Sequence, residues 1–220
     1  MILLALARPA AAWTGPHEVV QSTAHTLESG EWMIGVFTPI AYGATDRVMV
    51  ITHPILWVLL TPNGGVRWKA FDTESTALSL AVDGARSFLG DDGVDVSGAG
   101  ALGTVGAGAV FTIDLSRNVM LTVNAGYQRD IQPDDDGATF GGGATWLMSP
   151  VNLLMLEGGA RWSASANAVV APTATLVYAH AWDSLRLGAG LAYGDFPIER
   201  DGKPAIRVPV WPVLDVWWQF

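Results

Sequence analysis

The sequence predicts an all-β chain, a single antiparallel up-and-down transmembrane β-barrel of about twelve strands, with ten as the next choice. Three observations carry that prediction. Apolar residues alternate with polar or small ones at a period of two; polar turns punctuate the runs at alternately short and long intervals; and half of the 220 residues are hydrophobic while only 15% are charged. A mean hydropathy of +0.31 is high for a soluble domain, so much apolar surface calls for a lipid-facing wall. The length and the turn signals fit one domain, residues 13–220.

The alternation is clearest from Val119 to Gln128, where Val119, Leu121, Val123, Ala125 and Tyr127 share one face and Met120, Thr122, Asn124, Gly126 and Gln128 the other. From Ser184 to Asp195, Leu185, Leu187, Leu191 and Tyr193 oppose Arg186, Gly188 and Gly190. From Val151 to Ser163, Leu154, Leu156, Ala160 and Trp162 oppose Glu157, Gly159 and Arg161. The second face is glycine-rich with isolated charges, as a narrow lumen requires. A helical reading fails because Pro54 and Pro62 break one uncharged stretch, glycines fill that of 96–113, and Pro172 interrupts the third.

Tight turns are expected at 114–118, 148–150 and 182–184, and longer charged loops at 129–137 and 195–205. Short turns belong to the periplasmic end of such barrels and long loops to the extracellular end. Strands are then expected near 17–27, 31–42, 46–53, 64–71, 75–87, 98–113, 118–129, 138–148, 151–163, 168–181, 184–195 and 205–220, with both termini on the periplasmic side. The apolar stretch of 53–63 conflicts with an outer loop. It is expected to pack on the barrel as an irregular or helical element bounded by Pro54 and Pro62, narrowing any channel.

At the start, a short apolar run precedes Arg8-Pro9, and Ala10-Ala11-Ala12 before Trp13 has the small-residue form of a signal-peptidase site. Residues 1–12 therefore read as the remnant of a secretory signal. Seven charged residues fall on the polar register: Arg67, Lys69, Asp83, Glu157, Arg161, Arg186 and Asp215. They either line a pore for polar solutes or pair with one another in a closed interior.

Ten tryptophans are present. Trp32, Trp68, Trp146, Trp162, Trp182, Trp211 and Trp218 fall near strand ends, where indole suits a membrane interface. The last strand alternates Leu214, Val216, Trp218 and Phe220 against Val213, Asp215, Trp217 and Gln219, and ends on an aromatic residue. This resembles the closing strand of Gram-negative outer-membrane β-barrels. The resemblance implies an integral outer-membrane location among outer-membrane lipids, with Phe220 as a signal to the barrel-assembly machinery.

Other chemistry is poorly supported. The net charge of -9 with 12 basic residues argues against nucleic acid, and zero cysteines exclude disulfides and thiolate sites. His17, His25, His53 and His180 lack metal-ligand spacing. Gly98-Ala-Gly100-Ala-Leu-Gly103 matches a dinucleotide fingerprint, but no amphipathic helix follows it. Asp134-Asp-Asp136-Gly137 opens like a calcium loop, yet Thr145 stands where an EF-hand needs glutamate. Ser22 with His25, and His180 with Asp183 and Ser184, lack a recognisable nucleophile motif. No catalytic residue, metal or cofactor is expected. The function read from the sequence is a non-enzymatic barrel, either a narrow channel for small solutes or a structural envelope protein. A lipid-modifying barrel enzyme and a soluble secreted lipid-binding β-domain are the alternatives.

Overall fold

The computed structural model describes residues 13, 15, 18–58, 60–88, 103–131, 134–194, 197–200, 203–207 and 209–220. The expected signal remnant, His17 and most of the dinucleotide-like glycine run lie outside these residues. Strands β1 (Trp32–Gly35), β2 (Ile40–Thr45), β3 (Val48–Thr52), β4 (Asn63–Asp72), β5 (Thr76–Arg86) and β6 (Gly103–Ser116) form the first half of the wall. β7 (Val119–Asp130), β8 (Asp135–Ser149), β9 (Asn152–Ser163), β10 (Ala168–Trp182) and β11 (Leu185–Tyr193) continue it. A separate hairpin, β12 (Pro197–Arg200) with β13 (Lys203–Arg207), precedes β14 (Val210–Gln219), which pairs with β11 and β1 and closes an antiparallel twelve-stranded barrel. Trp32 N donates to the Phe220 carbonyl at 2.7 Å and Phe220 N to that of Trp32 at 2.9 Å, so the final residue joins the closing ladder.

The strand count agrees with the sequence, but the membership differs. The segment 31–42 is two strands, because Pro39 brings no N–H to a ladder and Gly35 lies so close to Thr38 that the chain reverses there. The described residues of the expected strand at 17–27 form no strand. The expected strand at 205–220 divides into the end of β13 and β14. The loop expected at 129–137 is shorter, since Asp130 and Asp135 still pair across it.

Wall polarity follows the pleat. Along β7, Leu121, Val123 and Tyr127 are exposed outward while Met120 and Thr122 are buried. Val105 on the adjacent β6 and Val82 on β5 beyond it are similarly bare. An exposed apolar exterior on a closed sheet, whose ladders satisfy most of its backbone groups, is the arrangement hydrocarbon favours.

The barrel is not hollow throughout. Residues 18–28 run inside it at the end that carries the short turns. Ala24 N donates to Thr112 Oγ1 at 2.9 Å. Arg67 Nη1 donates to the carbonyls of Val20 and Thr23 at 2.8 and 2.9 Å, and Ser29 N to Asp46 Oδ1 at 3.0 Å. Trp13, Val19, Val20 and Leu27 pack in one buried cluster with Met33, Met49, Met120, Leu153, Met155 and Trp217 from the inner wall. A buried leucine of this kind contributes about 1.5–3 kcal/mol, so the docked segment is part of the core. Methionines on four different strands supply flexible side chains that fit an irregular, non-helical insert.

Candidate functional site

Above this insert the inner wall changes character. Where β6 to β10 face the lumen, many positions are held by Gly106, Gly108, Gly126, Gly141, Gly143 and Gly159, with Asn124, Glu157 and Thr175 between them. A Cβ on Gly141 would stand 2.8 Å from the Gly158 carbonyl and one on Gly143 2.6 Å from that of Leu156. These glycines let the strands coil closely and leave space inside. A cavity of about 210 Å³ lies there, bounded by Ser22 and Thr23 of the insert, Asn124, Glu157 and Thr175. A second space of about 200 Å³ is lined by Asp83, Gly106, Asn124, Gln128 and Thr139.

The seven charged residues occupy distinct places. Arg67 grips the insert, as described. Arg186 is buried, with its guanidinium carbon 5.7 Å from the centre of the Trp13 ring, and its Nη1 donates to the Ser184 carbonyl at 3.1 Å. Lys69 pairs with Asp72 at 2.8 Å. Arg161 sits at the long-loop end, 2.8 Å from Asp130 and 3.2 Å from Asp135. Asp135 also accepts from Ser163 Oγ at 2.8 Å and Ser165 N at 2.9 Å. Asp215 accepts from Phe37 N at 3.0 Å and from the Thr38 hydroxyl. Asp83 and Glu157 face the two cavities.

Six of the seven tryptophans assigned to the interface are exposed: Trp32, Trp68, Trp146, Trp162, Trp182 and Trp218. Trp211 departs from that expectation. It is half-buried, and it shares the inner register with Val213, Asp215 and Trp217, because the pleat alternates strictly and its partner across the ladder is inward-facing Ala192.

α1 (Pro54–Val58) is helical and bounded by prolines as expected. None of its residues is buried, and Trp57, Val58 and Leu60 are exposed. Its backbone is satisfied locally, with Leu56 N donating to the His53 carbonyl and Thr61 N to that of Leu56. Asn63 ties the loop together, accepting from His53 N at 2.6 Å and donating to its carbonyl at 3.0 Å. Among the described residues, it is 18–28 that pack inside the barrel.

His25 is buried in the insert, while neighbouring Ser22 is exposed with a φ of 56°. His180 Nδ1 meets Asn152 Oδ1 at 2.7 Å and its ring packs 4.2 Å from that of Trp182. In the acidic loop, Asp134 and Asp136 lie 2.8 and 3.7 Å from Arg129, whereas Asp135 turns to Ser163 and Arg161. Among the described residues no group of three or more His, Asp or Glu side chains is placed to hold a metal ion.

A closed twelve-stranded antiparallel wall with an apolar exterior has the architecture of a transmembrane β-barrel, with a porin-like fold. Among solved structures the chain is similar to the NanC porin, with a TM-score of 0.60 over 86% of this chain and 97% of that one, at 7% identity. It is also similar to OmpT, an outer membrane protein of Vibrio cholerae in trimer form, with a TM-score of 0.45 over 86% of this chain and 64% of that one, at 10% identity. At these identities the likeness is one of fold. No family model matches the sequence, and no curated protein does.

Proposed function

We propose that this chain is a non-enzymatic outer-membrane barrel whose lumen its own N-terminal segment keeps closed towards the periplasm, so that it serves as a closed envelope barrel with an internal polar cavity. The short-turn end, where Phe220 and Trp32 meet, is assigned to the periplasm. The exposed tryptophans are assigned to the membrane interfaces. One observation carries the reading: the inner wall around residues 18–28 contributes a buried apolar cluster. Withdrawing the segment would bare Met33, Met49, Met120, Leu153 and Met155 to water. At about 25 cal/mol per Å² of apolar surface, that is a large penalty for a plug meant to leave often.

The test is conductance across planar bilayers. The intact protein is expected to show no stable single-channel steps, and regular ohmic steps would overturn the closed reading. Phe220 is proposed as the assembly signal. Its deletion removes two closing hydrogen bonds and is expected to lower the amount folded in the outer membrane several-fold while leaving the amount exported unchanged. Quantifying heat-modifiable protein in membrane fractions checks this.

A further inference from the structure

The wall has a low sector. β1, β2 and β3 contain 4, 6 and 5 residues, whereas a strand needs about 9–11 residues to cross a bilayer. β6 to β10 contain 12 to 15. The gap falls on the long-loop side, next to β14. That strand pairs with β11 from Val210 to Trp218 but with β1 only from Trp217 to Gln219.

The rest of β14 therefore presents an open edge among the described residues. Phe220 and Val216 direct their backbone groups to the β1 side, so alternation sends those of Leu214 and Pro212 the same way. Pro212 has no N–H to leave unpaired there, which is the edge position a proline tolerates. The Leu214 and Pro212 carbonyls and the Leu214 N–H remain, and in hydrocarbon they need partners. The turn of residues 36–38 lies at the foot of the gap, held by Asp215. Val36, Phe37 and Leu214 expose apolar surface around it.

Inside, a smooth strip leads from the gap to the cavity. Trp211 and Val213 on β14 pair with Ala192 and Gly190 on β11, which pair with Thr175 and Val177 on β10. Thr175 already lines the cavity. The cavities' own charged residues are Glu157 and Asp83, both carboxylates.

We infer that this gap is a lateral entry through which an outer-leaflet amphiphile with an uncharged, hydroxyl-rich head reaches the cavity above the N-terminal segment. The chain lies along the apolar surround and across Val213, the hydroxyls donate to the open-edge carbonyls and to Glu157, and an anionic head is repelled. The inference rests on the outer-membrane placement proposed above.

Photolabelling of the full chain in phospholipid vesicles tests it, using a dodecyl maltoside that carries a diazirine at its chain end. Tandem mass spectrometry is expected to find label on inward-facing Val213 and Val177 as well as on outward-facing Leu214 and Leu176. A dodecyl sulfate analogue is expected to label only the outward pair. Asp215→Ala, which frees the 36–38 turn, is expected to raise inner labelling by the maltoside about threefold. Label confined to the outward pair overturns the entry and leaves the membrane placement standing. Label on neither pair overturns both. Equal inner labelling by the sulfate overturns the assignment of the head, and unchanged inner labelling in Asp215→Ala overturns the position of the entry.

Discussion

Leu27→Asp is expected to release the N-terminal segment without unfolding the barrel, and so to convert a silent protein into a conducting one. Leu27 is 1% exposed in a cluster of methionines, leucine and tryptophan. Truncating such a leucine to alanine already costs about 2–5 kcal/mol, and a carboxylate in an apolar site costs more unless it is paired or protonated. The wall does not share that fate, because its strands are held by continuous ladders that do not run through residues 18–28. The weaker unit yields first. In planar bilayers the variant should show steps that the parent lacks, and added protease should cut the segment at least ten times faster while the barrel keeps its heat-modifiable gel migration. A variant as silent and protease-resistant as the parent would show that Leu27 does not hold the closure.

The second large effect is expected at Gly190. A Cβ there would lie 2.0 Å from the Leu176 carbonyl oxygen and 2.8 Å from Val177 Cα, both backbone atoms of the strand it pairs with. No rotamer change relieves such a contact, so Gly190→Ala must part β10 from β11. We expect a loss of about 3 kcal/mol or more, at or beyond the upper end of ordinary overpacking, read as a fall in the urea midpoint of the refolded barrel. Gly64→Ala is the control. Its Cβ would come no closer than 3.7 Å, to the Ile51 carbonyl, and its cost is expected to stay within about 0.5 kcal/mol.

Much of the wall was legible in the sequence because a two-residue period is a direct consequence of the pleat. Alternation from Val119 to Gln128 gave both the strand and its register, and the polar turn at Asp183, with its φ of 49°, fell where expected. The insert was misread because Val19, Val20 and Leu27 carry enough apolar character for a short strand, and nothing local says whether such a segment pairs or packs. A signal was nevertheless present. Met120 lies on the polar register of β7 and Met155 on that of β9, and an apolar residue there needs an apolar partner inside the lumen. The split of 31–42 into two strands was marked by Pro39. Strand length in that sector was not marked, because it depends on where the neighbouring ladders begin, which is a property of closure and of no single segment.

The glycines that walled the cavity were first a matter of strand approach. They also determine how any guest would be met. A pocket lined by side chains must order their rotamers when it is filled, at a cost of about 0.5–1.5 kcal/mol for each flexible side chain that is immobilised. Gly106 and Gly108 in one cavity, and Gly141, Gly143 and Gly159 in the other, have no rotamers to order, so over those parts of its surface each cavity is a mould cast in main chain. It selects by shape that does not adapt, and enlarging any one of these positions redraws the mould instead of softening it.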